Sequence, residues 1–296
     1  MLQDVFSVLL LGSVYALFAL GMSLVWGTVK VLNFAHGATF MFAAFLCSLL
    51  ASEVHVPIVV LAVVGAGIGA VISCLTEVLV FDLIKRRAKS QHDAQLQILI
   101  AGVGVATVMV SIAQHKTLSN PFGFDRREYP VSVHDLGAVN VSNVELLILI
   151  CSFTLSALLV FWVSRSRNGL ALRAIGVNSE IASLMGINER RLSLLAMTAA
   201  GALAGLAGVL LTFQLTAITP ESGDLLLVKA FAAVVLGGIG SLTGTVLGCF
   251  ILALCETLVL IHTDGEWVDA VSFALIFVVL LVRPNGLFGR AEVSRS

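Results

Sequence analysis

Apolar residues run along this chain in long blocks, and the polar residues gather in the gaps between them. A helix needs roughly 20 apolar residues to cross about 30 Å of hydrocarbon. Blocks of that order occupy residues 5–26, 34–52, 56–81, 95–114, 144–164, 192–213, 243–261 and 267–282. A further apolar piece, 225–236, is only half a span long and is followed by Gly237, Gly238, Gly240 and Ser241. It reads as the first half of a broken helix that resumes at Thr243, so 225–261 is taken as one interrupted unit. The pattern predicts an all-α polytopic membrane protein. It is a single transmembrane domain over 1–296, with about eight transmembrane helices, some of them discontinuous.

Composition agrees. Of the 296 residues, 58% are hydrophobic and only 12% charged, against about 25% charged in a typical soluble domain. So few charges cannot cover a water-facing surface. Their placement matters more than their sum. Most of the 17 Lys and Arg residues fall on one side of the predicted spans, among them Lys30, Lys85, Arg86, Arg87, Lys89, Arg165, Arg167, Arg173, Arg190, Arg191 and Arg283. That bias marks the cytoplasmic side and predicts an outside N-terminus, an inside C-terminus and an inner-membrane location. No basic stripe stands apart from the membrane flanks, so no nucleic-acid partner is expected.

Two connections are too long to be simple turns. The outside loop, 115–143, carries Pro121, Gly123, Pro130 and Gly137 with mixed charges. The inside loop, 165–191, reads as short amphipathic helices, with Leu170, Ala174, Val177, Ile181 and Leu184 near helical spacing and breaks at Gly176 and Gly186. Long ordered loops usually have a task.

Candidate chemistry is sparse. Glu256 lies inside a span, where a carboxylate is costly and should face protein or water. It is read either as a structural hydrogen-bond partner or as a pathway group. Glu77 lies near the cytoplasmic end of its span, close enough to the interface to snorkel. Asn33 suits a helix cap at the start of the second span, with His36 in the first turn. A lone histidine there is more often structural than a ligand. The five cysteines lie in apolar segments and read as small hydrophobes. No metal constellation, cofactor site, catalytic set or phosphate-binding glycine loop is expected, so energy for active transport must come from a partner or an ion gradient. The small residues crowding the spans, such as Gly201, Ala204, Gly205 and Gly208, read first as tight helix packing and second as a backbone-lined pathway.

Four ordered motifs carry a resemblance. Gly12-Ser13-Val14-Tyr15-Ala16-Leu17 leads to Asn33-Phe34-Ala35-His36-Gly37. Gly169-Leu170-Ala171-Leu172-Arg173-Ala174 leads to Ala182-Ser183-Leu184-Met185-Gly186-Ile187-Asn188. Lys229-Ala230-Phe231 leads to Leu236-Gly237-Gly238-Ile239-Gly240-Ser241, and the tail reads Arg283-Pro284-Asn285-Gly286-Leu287-Phe288-Gly289. Together they resemble the permease subunits of ABC importers for branched-chain amino acids, a family that also serves urea, short amides and aromatic acids. Ala38 stands where many of its members carry Glu, and 81–91 lacks their Tyr-Arg-Pro signature.

The resemblance implies alternating access with a second permease subunit, homologous or identical, cytoplasmic ABC ATPases, an external substrate-binding protein and the lipid bilayer as partners. It implies ATPase coupling through Gly169, Arg173, Ala174, Ala182, Gly186 and Ile187. Candidates along the translocation pathway are Asn33, His36, Lys229 and Glu256. Arg126 and Arg127 are candidates for docking the binding protein. The rival class is a stand-alone secondary transporter or channel, for which Glu256 is the one serious ion-coupling candidate.

Overall fold

The computed structural model describes residues 2–29, 32–54, 56–125, 129, 132–135, 140–263, 265, 267–283 and 286–288. It is an all-α polytopic membrane protein. The helices are α1 (Leu2–Val29), α2 (Ala35–Glu53), α3 (Ile58–Thr76), α4 (Asp82–Arg87), α5 (Gln91–Thr117), α6 (Asn143–Arg165), α7 (Arg167–Val177), α8 (Ser179–Leu184), α9 (Glu189–Leu215), α10 (Ser222–Gly237), α11 (Leu242–His262) and α12 (Val268–Val282). A π-helical turn, Glu77–Phe81, joins α3 to α4, so the two form one long rod. Among the described residues, seven helices are long and apolar enough to cross a membrane; α10 and α12 are shorter.

Helix α1 is apolar on every side and sits at the centre, where Leu17, Phe18, Ala19 and Leu20 are sealed from solvent. Helices α5 and α6 lie at the periphery and expose most of their apolar surface. The tightest contact joins α3 to α9. A side chain at Gly69 would run into the Gly201 carbonyl, and one at Gly205 into the Gly65 carbonyl. In lipid, apolar surface alone gives helices little reason to associate. Close backbone approach through small residues supplies the van der Waals contact instead.

Helix α2 does not start at the membrane surface. Gly208 of α9 lies against the Phe40 backbone, while Gly21 of α1 packs on both His36 and Ala200. Counting back along α2 and α9, which run in the same direction, puts Ala35 level with the middle of α9. Gly223, in the first turn of α10, abuts Gly37 in the first turn of α2. The two helices therefore begin together below the surface and run to opposite faces, as discontinuous helices do in many transporters.

The two apolar pieces within 225–261 do not continue one another as a single interrupted helix, which corrects the broken-helix reading. Helix α10 ends at Gly237 and α11 folds back along it. Gly237 meets Gly244 and Gly248 meets Ala233, the signature of an antiparallel hairpin. Gly238 (φ 101°) and Gly240 (φ 84°) supply the left-handed backbone of the reversal, and the Ser241 hydroxyl caps α11. After α12 the chain returns to this corner, where Leu287 N–H donates to the Leu236 carbonyl at 2.8 Å and Phe288 N–H to the Gly237 carbonyl at 3.1 Å.

On the face opposite the basic loops, two small antiparallel ladders bridge the helices. Strand β1 (Phe122–Gly123) pairs with β4 (Ala217–Ile218), and β2 (Val133–Asp135) pairs with β3 (Asn140–Ser142). Phe124 stacks on Phe213 with ring centroids 3.9 Å apart, fixing this layer to α9.

Replacing Gly205 with Leu should force α3 from α9, because its Cβ has only the Gly65 backbone to occupy. Overpacking of this kind costs about 1–3 kcal/mol, more when backbone must move. The thermal midpoint of the detergent-purified protein should fall, whereas Gly67→Leu, at a position with open space around it, should leave it nearly unchanged.

Candidate functional site

Four helices meet at Glu256. It lies in α11 and is 1% exposed. Tyr15 of α1 donates its phenol to Oε2 at 2.5 Å. Ser272 of α12 donates its hydroxyl to Oε1 at 2.5 Å. The Lys229 ammonium of α10 lies 3.1 Å from Oε1 and also 3.2 Å from Asp269 Oδ1 on α12. It stands 5.9 Å from the Tyr15 ring centroid as well. Both oxygens of the buried carboxylate are therefore used, as a low-dielectric setting requires. Two sequence candidates, Lys229 and Glu256, are brought together. Tyr15, Ser272 and Asp269 were not singled out as site residues, because pairings across as many as 241 residues leave no local signal.

Asn33 and His36 form a separate group. Phe34, not Asn33, takes the cap position of α2 and makes no side-chain cap bond; the Asn33 side-chain oxygen, one residue earlier, accepts from Ala35 N–H at 3.1 Å. His36 is 1% exposed; its Nε2 lies 3.1 Å from the Phe18 carbonyl and its ring packs on Phe18. His36 thus fixes the buried start of α2 against α1, while the Asn33 amide also donates to Met197 Sδ of α9 at 3.8 Å.

Glu77 does not snorkel. It is 2% exposed and lies in the π turn, where Lys85 Nζ donates to its Oε1 at 2.8 Å and the Ser193 hydroxyl of α9 does so at 2.7 Å. Asp82 is held in turn by Arg86 Nε and Arg190 Nη2, each at 3.0 Å. The extra residue of a π turn re-aims the side chains around it, and here the carboxylate faces α9 rather than the membrane interface.

The loop predicted to couple is α7, α8 and the turn to α9. Ser166 caps α7, Asn178 caps α8 and Asn188 caps α9. Gly169 is buried against the Val163 backbone, where any side chain would collide. Arg173 turns back to donate to the Ser164 carbonyl at 3.1 Å, so it ties the α6–α7 corner. Ala182 packs inward with Leu172, Ile175 and Leu192. Its small size therefore serves internal packing.

Gly186 (φ 82°) ends α8: Ile187 N–H bonds to the Ala182 carbonyl and Gly186 N–H to the Ser183 carbonyl. Ala174 and Ile187 line a groove with Leu170, Val177, Ile181 and Met185. Leu170, Val177, Ile181, Leu184 and Met185 are all strongly exposed. Arg126 and Arg127 lie outside the described residues. The exposed Glu221 accepts from the amide of Gln114, in the last turn of α5, at 2.7 Å, and this bond holds its carboxyl below the ordinary value.

Substituting Glu256 by Leu strips the acceptor from two buried hydroxyls and one ammonium. Breaking a buried ion pair from one side costs about 3–5 kcal/mol. The thermal midpoint should drop markedly, and Glu256→Gln, which keeps an acceptor oxygen, should recover part of the loss.

The family model described as "Branched-chain amino acid transport system / permease component" matches residues 5–280. The chain is 33% identical to the high-affinity branched-chain amino acid transport system permease protein LivH of Salmonella typhimurium, over 99% of this chain and 97% of that one. It is 31% identical to the corresponding permease protein BraD of Pseudomonas aeruginosa, with the same coverage. The solved structure titled "An inward-facing conformation of a putative metal-chelate type ABC transporter" shares the fold at a TM-score of 0.52 and 16% identity, covering 95% of this chain and 87% of that chain. With helices, buried polar pairs and family match running nearly end to end, the chain belongs to the family of permease components of branched-chain amino acid transport systems.

Proposed function

We propose that this chain is the membrane-spanning permease subunit of an ATP-binding-cassette importer. It carries branched-chain amino acids, or a related small polar solute, into the cytoplasm by alternating access. It sits in a bacterial inner membrane with its N-terminus outside and its C-terminus inside, in keeping with the basic bias of 85–89 and 165–191. Its partners are a second permease subunit, cytoplasmic ATPases and an external substrate-binding protein. The permease itself supplies no nucleotide chemistry, so force must enter through a contact.

The observation that carries this reading is the exposed apolar surface of α7 and α8. Val177, Leu184 and Met185 are each more than three-quarters exposed beside the groove. Apolar residues on short helices outside the spans fit a partner's groove, and the helices lead directly into α9 through the Gly186 stop. In this reading Gly169, Arg173 and Ala182 shape the coupling loop from within, Gly186 sets its exit, and Ala174 and Ile187 line the contact. Asn33 and His36 shape the pathway by fixing the start of α2, while Lys229 faces it and Glu256 holds Lys229 from behind. The rival reading as a lone ion-coupled carrier is weakened because Tyr15, Ser272 and Lys229 already engage both Glu256 oxygens.

Two measurements test the assembly. The double variant Leu184→Asp, Met185→Asp changes only exposed side chains, so the permease should still insert and purify in normal amount. It should lose co-purification of the ATPase and substrate-driven ATP hydrolysis; normal uptake would exclude this surface from coupling. On the other face, changing Arg126 and Arg127 to Glu should weaken stimulation by the binding protein, most strongly at low ionic strength where surface charges are least screened. Equal stimulation at low salt would remove both arginines from docking.

A further inference from the structure

Two acidic side chains are exposed in the first turns of α10 and α12. After α12 ends at Val282, the chain brings Leu287 and Phe288 to the last carbonyls of α10. Helices α10 and α12 are 16 and 15 residues long, and Lys229 of α10 reaches Asp269 in the first turn of α12. The first turn of α10 is level with Gly37, near the middle of α9 and below the outer surface. Asp269, in the first turn of α12, is 58% exposed. Asp224, in the first turn of α10, is exposed there too. An acidic side chain facing hydrocarbon costs several kcal/mol, and those found at such depth face protein or water. This face of α10 and α12 therefore lines a wet route or a second subunit along it.

On this face the Lys229 ammonium is held between two unlike carboxylates. Glu256 is sealed and fixed by Tyr15 and Ser272. Asp269 is open and touches Lys229 alone among the polar contacts of the described residues. We propose that Lys229 and Asp269 form a contact site for a zwitterion, a solute carrying both a carboxylate and an ammonium group. This deepens the pathway reading above and rests on it.

The exchange balances in charge. The Lys229–Asp269 pair opens, Lys229 takes the solute carboxylate, and Asp269 takes the solute ammonium. Glu256 holds Lys229 in place throughout. One internal ion pair is replaced by two with the solute, and the net charge of the site does not change. A neutral amide or urea offers no ion in exchange, so the pair stays closed to it. A simple anion gains Lys229 but meets Asp269 and Glu256, and a simple cation gains Asp269 but not Lys229.

The test uses the complete reconstituted complex of permease pair, ATPases and leucine-loaded binding protein in liposomes. Wild-type uptake that requires ATP and the binding protein is the control for the importer reading, and its failure would count against that reading alone. With the control met, Asp269→Asn should reduce leucine uptake by about tenfold or more, the scale of one lost charge-assisted contact, while ATP hydrolysis still responds to the binding protein. Asp269→Glu should restore much of the loss. Asp269→Cys should react with a charged, membrane-impermeant thiol reagent above the wild-type background, and more slowly while leucine is being transported. Full uptake by Asp269→Asn overturns the site, as does an Asp269→Cys thiol that stays unreactive or is not protected by leucine.

Discussion

Between α3 and α9 two backbones touch, with Gly65 and Gly69 set against Gly201 and Gly205. Much else follows from this contact. Each glycine is placed one turn from the next, so the contact repeats along one face and fixes both the separation and the rotation of the pair. With α9 so fixed, its other sides receive α1 through Ala200 and α2 through Gly208. The buried start of α2 then has a defined place, and Gly37 offers α10 the only kind of surface that Gly223 can meet at that distance. In lipid, where apolar surface is no more at home in protein than outside it, this succession of close approaches replaces the core of a soluble protein.

Charge is handled by a second rule. Carboxylates below the surface are surrounded by donors from different helices, and each such cluster joins elements that glycine packing leaves separate. Glu256 gathers α1, α10, α11 and α12. Glu77 and Asp82 gather the end of the long α3–α4 rod and the start of α9. A buried ion pair is weak evidence for net stability, but breaking one is costly, so such pairs enforce arrangement more than they strengthen it. Lys229 differs in being shared between a sealed carboxylate, Glu256, and an open one, Asp269.

The spans were legible because lipid imposes a length and a polarity on every crossing helix, and the capping residues Ser90, Ser142 and Ser241 sit where that pattern starts or resumes. Three things were not legible. The α10–α11 reversal was hidden because two apolar pieces parted by glycines look the same whether the chain continues or folds back; only the meeting of Gly237 with Gly244 distinguishes them. The burial of Glu77 depends on a π turn, which periodicity at ordinary helical spacing does not register. In the site, Lys229 and Glu256 drew notice as charges in or near spans. Asp269, Tyr15 and Ser272 carry no sequence signal of their own, since their importance lies in what faces them.

The same rules bear on how force at the basic face reaches the interior. Helix α9 begins three residues after Gly186, so the coupling loop and α9 share a corner. Within its first two turns α9 is tied by Arg190 to Asp82 and by Ser193 to Glu77. Deeper in, its glycines lie on those of α3. A displacement of the corner therefore acts on α3 and α9 as one body, because separating them means breaking charge pairs at one end and backbone contact along the middle. That body carries the starts of α2 and α10 on its flank, through Phe40 on Gly208 and then Gly37 on Gly223. Those two helix starts meet where Gly37 packs on Gly223 and Leu227, and the helices lead from there to opposite faces, so a displacement of the α3–α9 body acts on both at once.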